Sequence, residues 1–296
     1  MAAKNFSRDY FVGQVAVRRT SLSATNPANA GKVGARIFRR KTFFSMFHVK
    51  HLAKIDPFSL LGAIKRCVNV KSKLACFENA AYKSFMQSIS EPVKTWFERD
   101  LSVSRETLDR LSQYADLVVK WQPRINIVGA STAEDVWGRH LQDSAQLWPH
   151  LQDVATTGKI VDFGSGAGFP GIVLAILGAG NVTMMESNTK KTVFLMEAAR
   201  VCGVLGQTKI ARERIEAAQP CEADVVTARA FAPLPKLLEF GQRHLKTGGH
   251  YVLLKGRAFE DELADARDAG WTFDVTTHAS LVDPDGVVMI LKGVSR

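Results

Sequence analysis

Cysteine pairs are missing from this 296-residue sequence: Cys67, Cys76, Cys202 and Cys221 form no CxxC motif and no regular framework. That argues against a zinc ribbon and a disulfide scaffold and points to a reducing compartment. Long apolar runs are missing too. None approaches the roughly 18–20 residues of a membrane span, and the start lacks the charged region, apolar stretch and cleavage site of a secretory leader. The expectation is a soluble chain that is not secreted. Metal ligands are sparse: His48 and His51 stand three apart without a third ligand nearby, so no metal site is expected. The first 90 residues lack acid above all. They hold 16 Lys and Arg against 3 Asp and Glu, a net charge of +13, whereas residues 91–296 hold 23 against 26, or −3.

That basic extension, residues 1–90, mixes Ser, Thr, Asn and Gly with scattered cations and has no sustained period, the composition of a poorly ordered arm. Its stretch Arg39-Arg40-Lys41-Thr42-Phe43-Phe44-Ser45-Met46-Phe47 interleaves cations with aromatics, which suits stacking on nucleic acid or an anionic membrane surface. Three readings stay open: a neutral extension ahead of later starts at Met46 or Met86, an RNA-gripping arm, and a targeting segment.

With 46% hydrophobic residues, the remainder can bury a sizeable core. A helical period begins at Ser104, a good N-cap followed by Glu106 and Asp109, and continues through Leu108, Leu111, Ala115 and Val118 until Pro123 should close it. A second helix is predicted over 133–147. Together they make a small helical cap, residues 91–150. From Lys159 the pattern becomes apolar strands alternating with helices, expected near 159–163, 182–186, 207–211, 224–228, 250–254, 271–277 and 287–292. The helices between fall near 170–178, 190–202, 233–245 and 259–268. Residues 151–296 therefore read as an α/β domain, a Rossmann-like, doubly wound seven-stranded sheet.

Lys159-Ile160-Val161-Asp162-Phe163-Gly164-Ser165-Gly166-Ala167-Gly168-Phe169-Pro170-Gly171 is a buried strand, a glycine-rich turn and a helix start. Glycine lets the backbone turn sharply and approach a ligand, and Pro170 suits a first helical turn. The dinucleotide fingerprint GxGxxG needs glycine where Phe169 stands. DxGxGxG, from Asp162 to Gly168, is instead the pattern of S-adenosylmethionine enzymes. The second strand ends in Glu186, 22 residues after Gly164, where a carboxylate can accept hydrogen bonds from both ribose hydroxyls or merely cap the next helix. After the third strand, Ile215 and Glu216 stand where adenine is contacted, with solvated helix charge as the competing explanation. Asp162 should order the turn through backbone N–H groups.

These residues lead to a family. The Asp162–Gly171 segment, Thr227-Ala-Arg-Ala-Phe-Ala-Pro-Leu234, Leu254-Lys-Gly256 and Arg139-His-Leu-Gln-Asp-Ser144 resemble the bacterial 16S ribosomal RNA guanine-N7 methyltransferases, the RsmG or GidB family, over about residues 95–296. The resemblance implies a class I S-adenosylmethionine-dependent methyltransferase fold with an N-terminal helical cap. It also implies methylation of guanine N7 in 16S rRNA or the small-subunit particle, by a cytoplasmic monomer. Residue by residue, Gly164, Gly166, Gly168 and Phe169 match the cofactor turn, Ile215 and Glu216 the adenine side, and Arg229 an active-site arginine. Asn126 matches a tryptophan-to-asparagine segment. Arg229 could bind a phosphate, a guanine edge or the methionine carboxylate, or form a salt bridge. Arg139 and His140 are candidates for the RNA side, with Asp143 expected to pair with Arg139 at i+4 and His140 equally readable as a core histidine. Lys255 is expected to meet RNA phosphate. The family pattern departs at Pro123, at Glu186 in place of the commoner Asp, and in the arm. A same-fold methyltransferase of another substrate, or a noncatalytic cofactor- or RNA-binding protein, are the rival readings.

Overall fold

A strand buried on both faces must be apolar throughout, while the helix that covers it needs only one apolar side. The computed structural model, which describes residues 90–129 and 132–296, realises that pattern as one sheet. Its strands are β1 (Ile160–Phe163), β2 (Val182–Met185), β3 (Thr208–Ala211), β4 (Ala223–Arg229), β5 (Leu245–Lys255), β6 (Thr272–Ala279) and β7 (Val287–Ser295). They lie in the order β3-β2-β1-β4-β5-β7-β6. The first five pair in parallel, and β7 runs antiparallel between β5 and β6. Ile160 sits between Val182 and Val225, and all four residues of β1 are fully buried. From β1 the chain winds outward to β3 and then returns to β4 on the other side. Such a reversal leaves a crevice at the carboxyl ends of the strands.

The expected seven strands are all present. The helices are α1 (Arg105–Ile125), α2 (Gly171–Leu177), α3 (Thr189–Val201), α4 (Leu234–Gly241) and α5 (Phe259–Asp268). Ser104 caps α1, its hydroxyl accepting from the Thr107 N–H at 3.1 Å. Pro123 does not close α1, contrary to the sequence expectation. It lies in the last turn, where it costs the one bond that its N–H would give to the Val119 carbonyl, with only Arg124 and Ile125 left to wind. The helix continues until Asn126, in the left-handed region at φ +46°, donates its N–H to the Gln122 carbonyl. The Gln122 side chain then holds both backbone groups of Val128, at 2.9 and 3.0 Å.

The cap departs furthest from expectation. In place of one helix over 133–147, a π-helical turn spans Trp137–Gln142, an α-turn Asp143–Ala145 and a 3-10 turn Trp148–His150. Asp135 delays the start, since its carboxylate accepts the Gly138 N–H at 2.8 Å. A further helical stretch, residues 90–100, was not foreseen. It presents Phe97, fully buried, edge-on to Trp137 with ring centroids 6.2 Å apart. Near the other end, α4 stops four residues short of its predicted bound, and a 3-10 turn, Gln242–His244, brings His244 in to bond the Ile215 carbonyl at 2.9 Å. β5 accordingly starts at Leu245 rather than 250.

Alternation along the strands divides the core in two. Ile160, Val182, Met184 and Val252 face α1, α2, α3 and the cap in one cluster, which also holds Phe97, Tyr114 and Leu141. Val161, Phe163, Val226 and Leu253 face α4 and α5 in the other. The cap therefore has no core of its own among the described residues; it completes one face of the sheet. No described helix is long and apolar enough to cross a membrane. The expectations for the basic extension, for His48 and His51, and for Cys67 and Cys76 lie outside the described residues, whereas Cys202 and Cys221 are free thiols.

Candidate active site

The glycine turn is built from beneath. Asp162, fully buried at the middle of β1, accepts the Gly171 N–H at 3.2 Å and the Thr227 hydroxyl at 3.3 Å, while the Ser165 hydroxyl donates to its main-chain carbonyl at 3.0 Å. Burial raises its carboxyl to about 7, against the pull of those hydrogen bonds. The backbone then turns through left-handed Gly164 (φ +64°) and Gly168 (φ +92°). A Cβ on Gly164 would overlap the Phe231 ring, and one on Gly168 would meet Ile172 and the Tyr114 hydroxyl. Only glycine satisfies both the dihedral and the space. From α1, the Tyr114 hydroxyl donates to the Ala167 carbonyl and braces the turn from the cap side.

Glu186 follows β2 directly and reaches back to the turn. Its Oε2 accepts the Gly166 N–H at 3.1 Å and its Oε1 the Asn188 N–H at 2.7 Å. Capping of α3 belongs to Asn188, which accepts from Lys190 and Lys191. Glu186 is therefore not the helix cap. A carboxylate offers about four acceptor sites, so two remain for a pair of hydroxyls. Glu186 lines a cavity of about 350 Å³ together with Gly164, Ile215, Glu216 and Phe231. That volume lies within the range of small-ligand sites.

A second cavity, of about 480 Å³, opens alongside and is bounded by Arg139, Asp143, Arg229, Lys255 and Asp283. The two share Ala230, Phe231 and Ala232 as a common wall. Ala230 sits at φ +48°, a left-handed conformation that costs a non-glycine residue about 1–3 kcal/mol. The strain falls on the residue that divides the cavities.

Arg229 ends β4 and crosses to the cap. Its Nε pairs with Asp143 Oδ2 at 2.8 Å, its Nη1 donates to His140 Nδ1 at 2.9 Å, and its Nη2 donates to the Arg139 carbonyl at 2.7 Å. A guanidinium has only donors, so His140 Nδ1 must be the acceptor and Nε2 must carry the proton, which goes to the Thr132 hydroxyl 3.0 Å away. The imidazole stacks on Phe169 with centroids 4.9 Å apart. Burial, with Arg229 and Arg139 beside it, lowers His140 to about 3. Burial also pushes the Asp143 carboxyl up and the Arg229 guanidinium down, each shift partly offset by the partner charge. A guanidinium starts so high that Arg229 stays charged.

Several expected residues thus meet here, though not all in their expected contacts. Gly164, Glu186, Ile215 and Glu216 line the first cavity; Arg139, Arg229 and Lys255 line the second. Asp143 pairs with Arg229 rather than Arg139, since Arg229 reaches across from the end of β4 to this carboxylate while Arg139 is exposed. Lys255 does not point to solvent: 7% exposed, it donates to the Ala232 carbonyl and to Glu262 at 2.6 Å, which makes it part of the cleft wall rather than a surface cation. Asp162, Gly166, Gly168 and Phe169 belong to the turn and its support and line neither cavity, the expected RNA-side His140 is buried and lines neither, and Asn126 is an exposed helix cap that borders neither. Sequence reasoning missed Tyr114, Phe231 and Asp283. Phe231 was within reach, since it sits inside the motif quoted for Arg229. No described group of three or more His, Cys, Asp or Glu could hold a metal ion.

Comparison with known proteins agrees with this geometry. A sequence profile described as "GidB: rRNA small subunit methyltransferase G" matches residues 107–282. Three proteins named Ribosomal RNA small subunit methyltransferase G are similar over about two thirds of the chain. That of Paramagnetospirillum magneticum is 51% identical over 195 residues, covering 66% of this chain and 92% of that protein. That of Rhodospirillum centenum is 47% identical over 201 residues, covering 68% and 91%. That of Rhodospirillum rubrum is 45% identical over 202 residues, covering 68% and 97%.

Proposed function

This chain belongs to the GidB family, rRNA small subunit methyltransferase G, and on that premise we propose that it moves a methyl group from S-adenosylmethionine to N7 of a guanine in 16S ribosomal RNA. The observation that carries the reading is the pair of cavities joined at Ala230, Phe231 and Ala232, one with the Glu186 carboxylate beside the glycine turn and the other bounded by Arg139, Arg229 and Lys255 together with Asp143, Glu262 and Asp283. The first fits an adenosyl group: Glu186 has acceptor capacity left for two ribose hydroxyls, Ile215 and Glu216 flank the base, and Gly164 gives the backbone close approach. The second is open enough for a flipped purine to enter, stacked and held by its edges.

The bound cofactor supplies an electrophilic methyl group on a sulfonium. Guanine N7 holds a lone pair in the ring plane and loses no proton, so the reaction requires no general base. What the chain supplies is placement. Holding two reactants in line contributes about 7–11 kcal/mol in favourable cases. A positioned acid or base gives 10²–10⁴-fold, about 3–5 kcal/mol, so orientation is the larger effect. Arg229 contributes by fixing the cap against the end of β4, and Arg139, the exposed cation at the mouth, meets RNA phosphate. The chain acts as a cytoplasmic monomer on the ribosomal particle. Site-resolved mapping of N7-methylguanine in small-subunit RNA, with and without the gene, tests the reading; a map that does not change would overturn it.

A further inference from the structure

The second cavity holds three carboxylates, and two of them are already neutralised. Asp143 is paired with Arg229, and Glu262 with Lys255. Asp283, half-buried in the loop between β6 and β7, forms no ion pair among the described residues, although its charge is close enough to push the Asp143 carboxyl up.

Its loop is fixed at several points. The Ser280 hydroxyl accepts the Val282 and Asp283 N–H groups at 3.2 and 3.1 Å, the Gly286 N–H returns to the Asp283 carbonyl at 2.9 Å, and the Asp285 N–H donates to Asp283 Oδ1 at 3.1 Å. Gln146, buried in the cap 135 residues from Leu281, ties this loop to the Arg229 network. Its Oε1 accepts the Leu281 N–H at 2.9 Å, and its Nε2 donates to Ser280 Oγ at 3.2 Å and to Asp143 Oδ1 at 2.8 Å. A surface loop on a mere connection needs no such anchor. A loop that must hold one carboxylate at a set place in a cleft does.

We infer that Asp283 reads the Watson–Crick edge of the target guanine, accepting from N1–H and the N2 amino group, with Gln146 as the positioning residue that sets its loop. The inference rests on the guanine-N7 reading above. Guanine presents two adjacent donors on that edge, which a carboxylate can accept together, whereas adenine offers an acceptor at N1. N7 lies on the opposite side of the purine and is left clear for methyl transfer. As the N7–C bond forms and the S–C bond breaks, the positive charge passes from sulfur to the purine. N1–H then becomes a stronger donor, and the hydrogen bond to Asp283 tightens in the transition state. Such a contact raises kcat and not merely binding.

The test uses the full chain, S-adenosylmethionine and small-subunit particles from cells lacking the gene, reconstituted with guanosine, inosine or 7-deazaguanosine at the target. Inosine keeps N1–H and lacks the N2 amino group. Asp283→Asn keeps an acceptor for the Asp285 N–H but puts a donor where the guanine edge needs an acceptor. It is expected to lower kcat on the guanosine particle about tenfold or more and to shrink the preference for guanosine over inosine. Cofactor Kd and Tm stay where they are. Gln146→Met, which removes all three side-chain bonds at similar volume, should shrink the same preference, a readout that loss of stability alone would not move. An Asp283→Asn enzyme with wild-type kcat, or one slowed equally on guanosine and inosine, overturns the inference. Wild-type enzyme that methylates the 7-deazaguanosine particle overturns the N7 reading instead, so the two failures are distinct.

Discussion

Three acceptors on one guanidinium make Arg229 a joint between sheet and cap as well as a wall of the second cavity. Arg229→Ala leaves the Asp143 carboxylate buried without its cation, a loss of about 3–5 kcal/mol when one partner of a buried pair is removed. Arg229→Lys keeps the charge but has no planar fork to meet Asp143, His140 and the Arg139 carbonyl together. The lysine variant is expected to recover less than half of the stability lost in the alanine variant, measured by urea denaturation, and to remain slow in methyl transfer. Buried titrating groups in the same region set a pH dependence. Asp162 is raised from 3.8 to about 7, so its contribution is full below pH 4 and declines as pH rises to 7. His140, lowered from 6.5 to about 3, acts in the other direction: its contribution is full above pH 6.5 and is lost as pH falls towards 3. Asp162→Asn removes the first slope alone. The variant's urea midpoint should climb from pH 4.5 to 7 more steeply than the wild type's; parallel curves would refute the assignment.

At the scale of elements, α1 does more than cover the sheet, because Tyr114 carries it to the glycine turn. Tyr114→Phe deletes the hydroxyl and leaves the buried Ala167 carbonyl without its donor, a cost of about 1–3 kcal/mol. Since that carbonyl lies within the turn, the cost should appear as weaker binding of S-adenosylmethionine in calorimetry, with RNA affinity unchanged. The elements were legible in the sequence to very different degrees. Buried parallel strands are short apolar runs bounded by turns, so β1 to β4 fall within a residue of their expected bounds, as does α5. Residues 90–100 carry only one short apolar set, Val93, Trp96 and Phe97, too brief to stand out from the extension before it. The winding of the cap was not legible at all. The same buried residues satisfy an α or a π path, and tertiary hydrogen bonds, such as that from Gly138 to Asp135, select between them.

Across the whole molecule, the cap and one sheet face share a single apolar cluster, so the cap cannot detach without exposing the core. Four of the five tryptophans, Trp96, Trp121, Trp137 and Trp148, lie on that side, and Trp271 lies on the other. Urea unfolding followed by tryptophan emission and by far-ultraviolet circular dichroism is expected to give coincident transitions. An earlier emission change would mean that the cap melts first. The site was legible as far as its local motifs extend. Gly164 and Glu186 announce themselves by sequence spacing and Arg229 by its family motif, whereas the Gln146–Leu281 link joins residues 135 positions apart and leaves no local mark.

The π-turn at Trp137–Gln142 holds one more residue per turn than an α-helix tends to, and its side chains are phased accordingly. Deleting a single residue there would let the segment rewind as ordinary α-helix, and because the π-turn folds its extra residue into one turn, the side chains beyond it would keep nearly their present directions. Asp143 and Gln146, which follow the π-turn, would still face the guanidinium and the loop they hold. This short stretch thus acts as slack in the chain: one residue more or less is taken up where it falls, and the cleft beyond keeps its alignment.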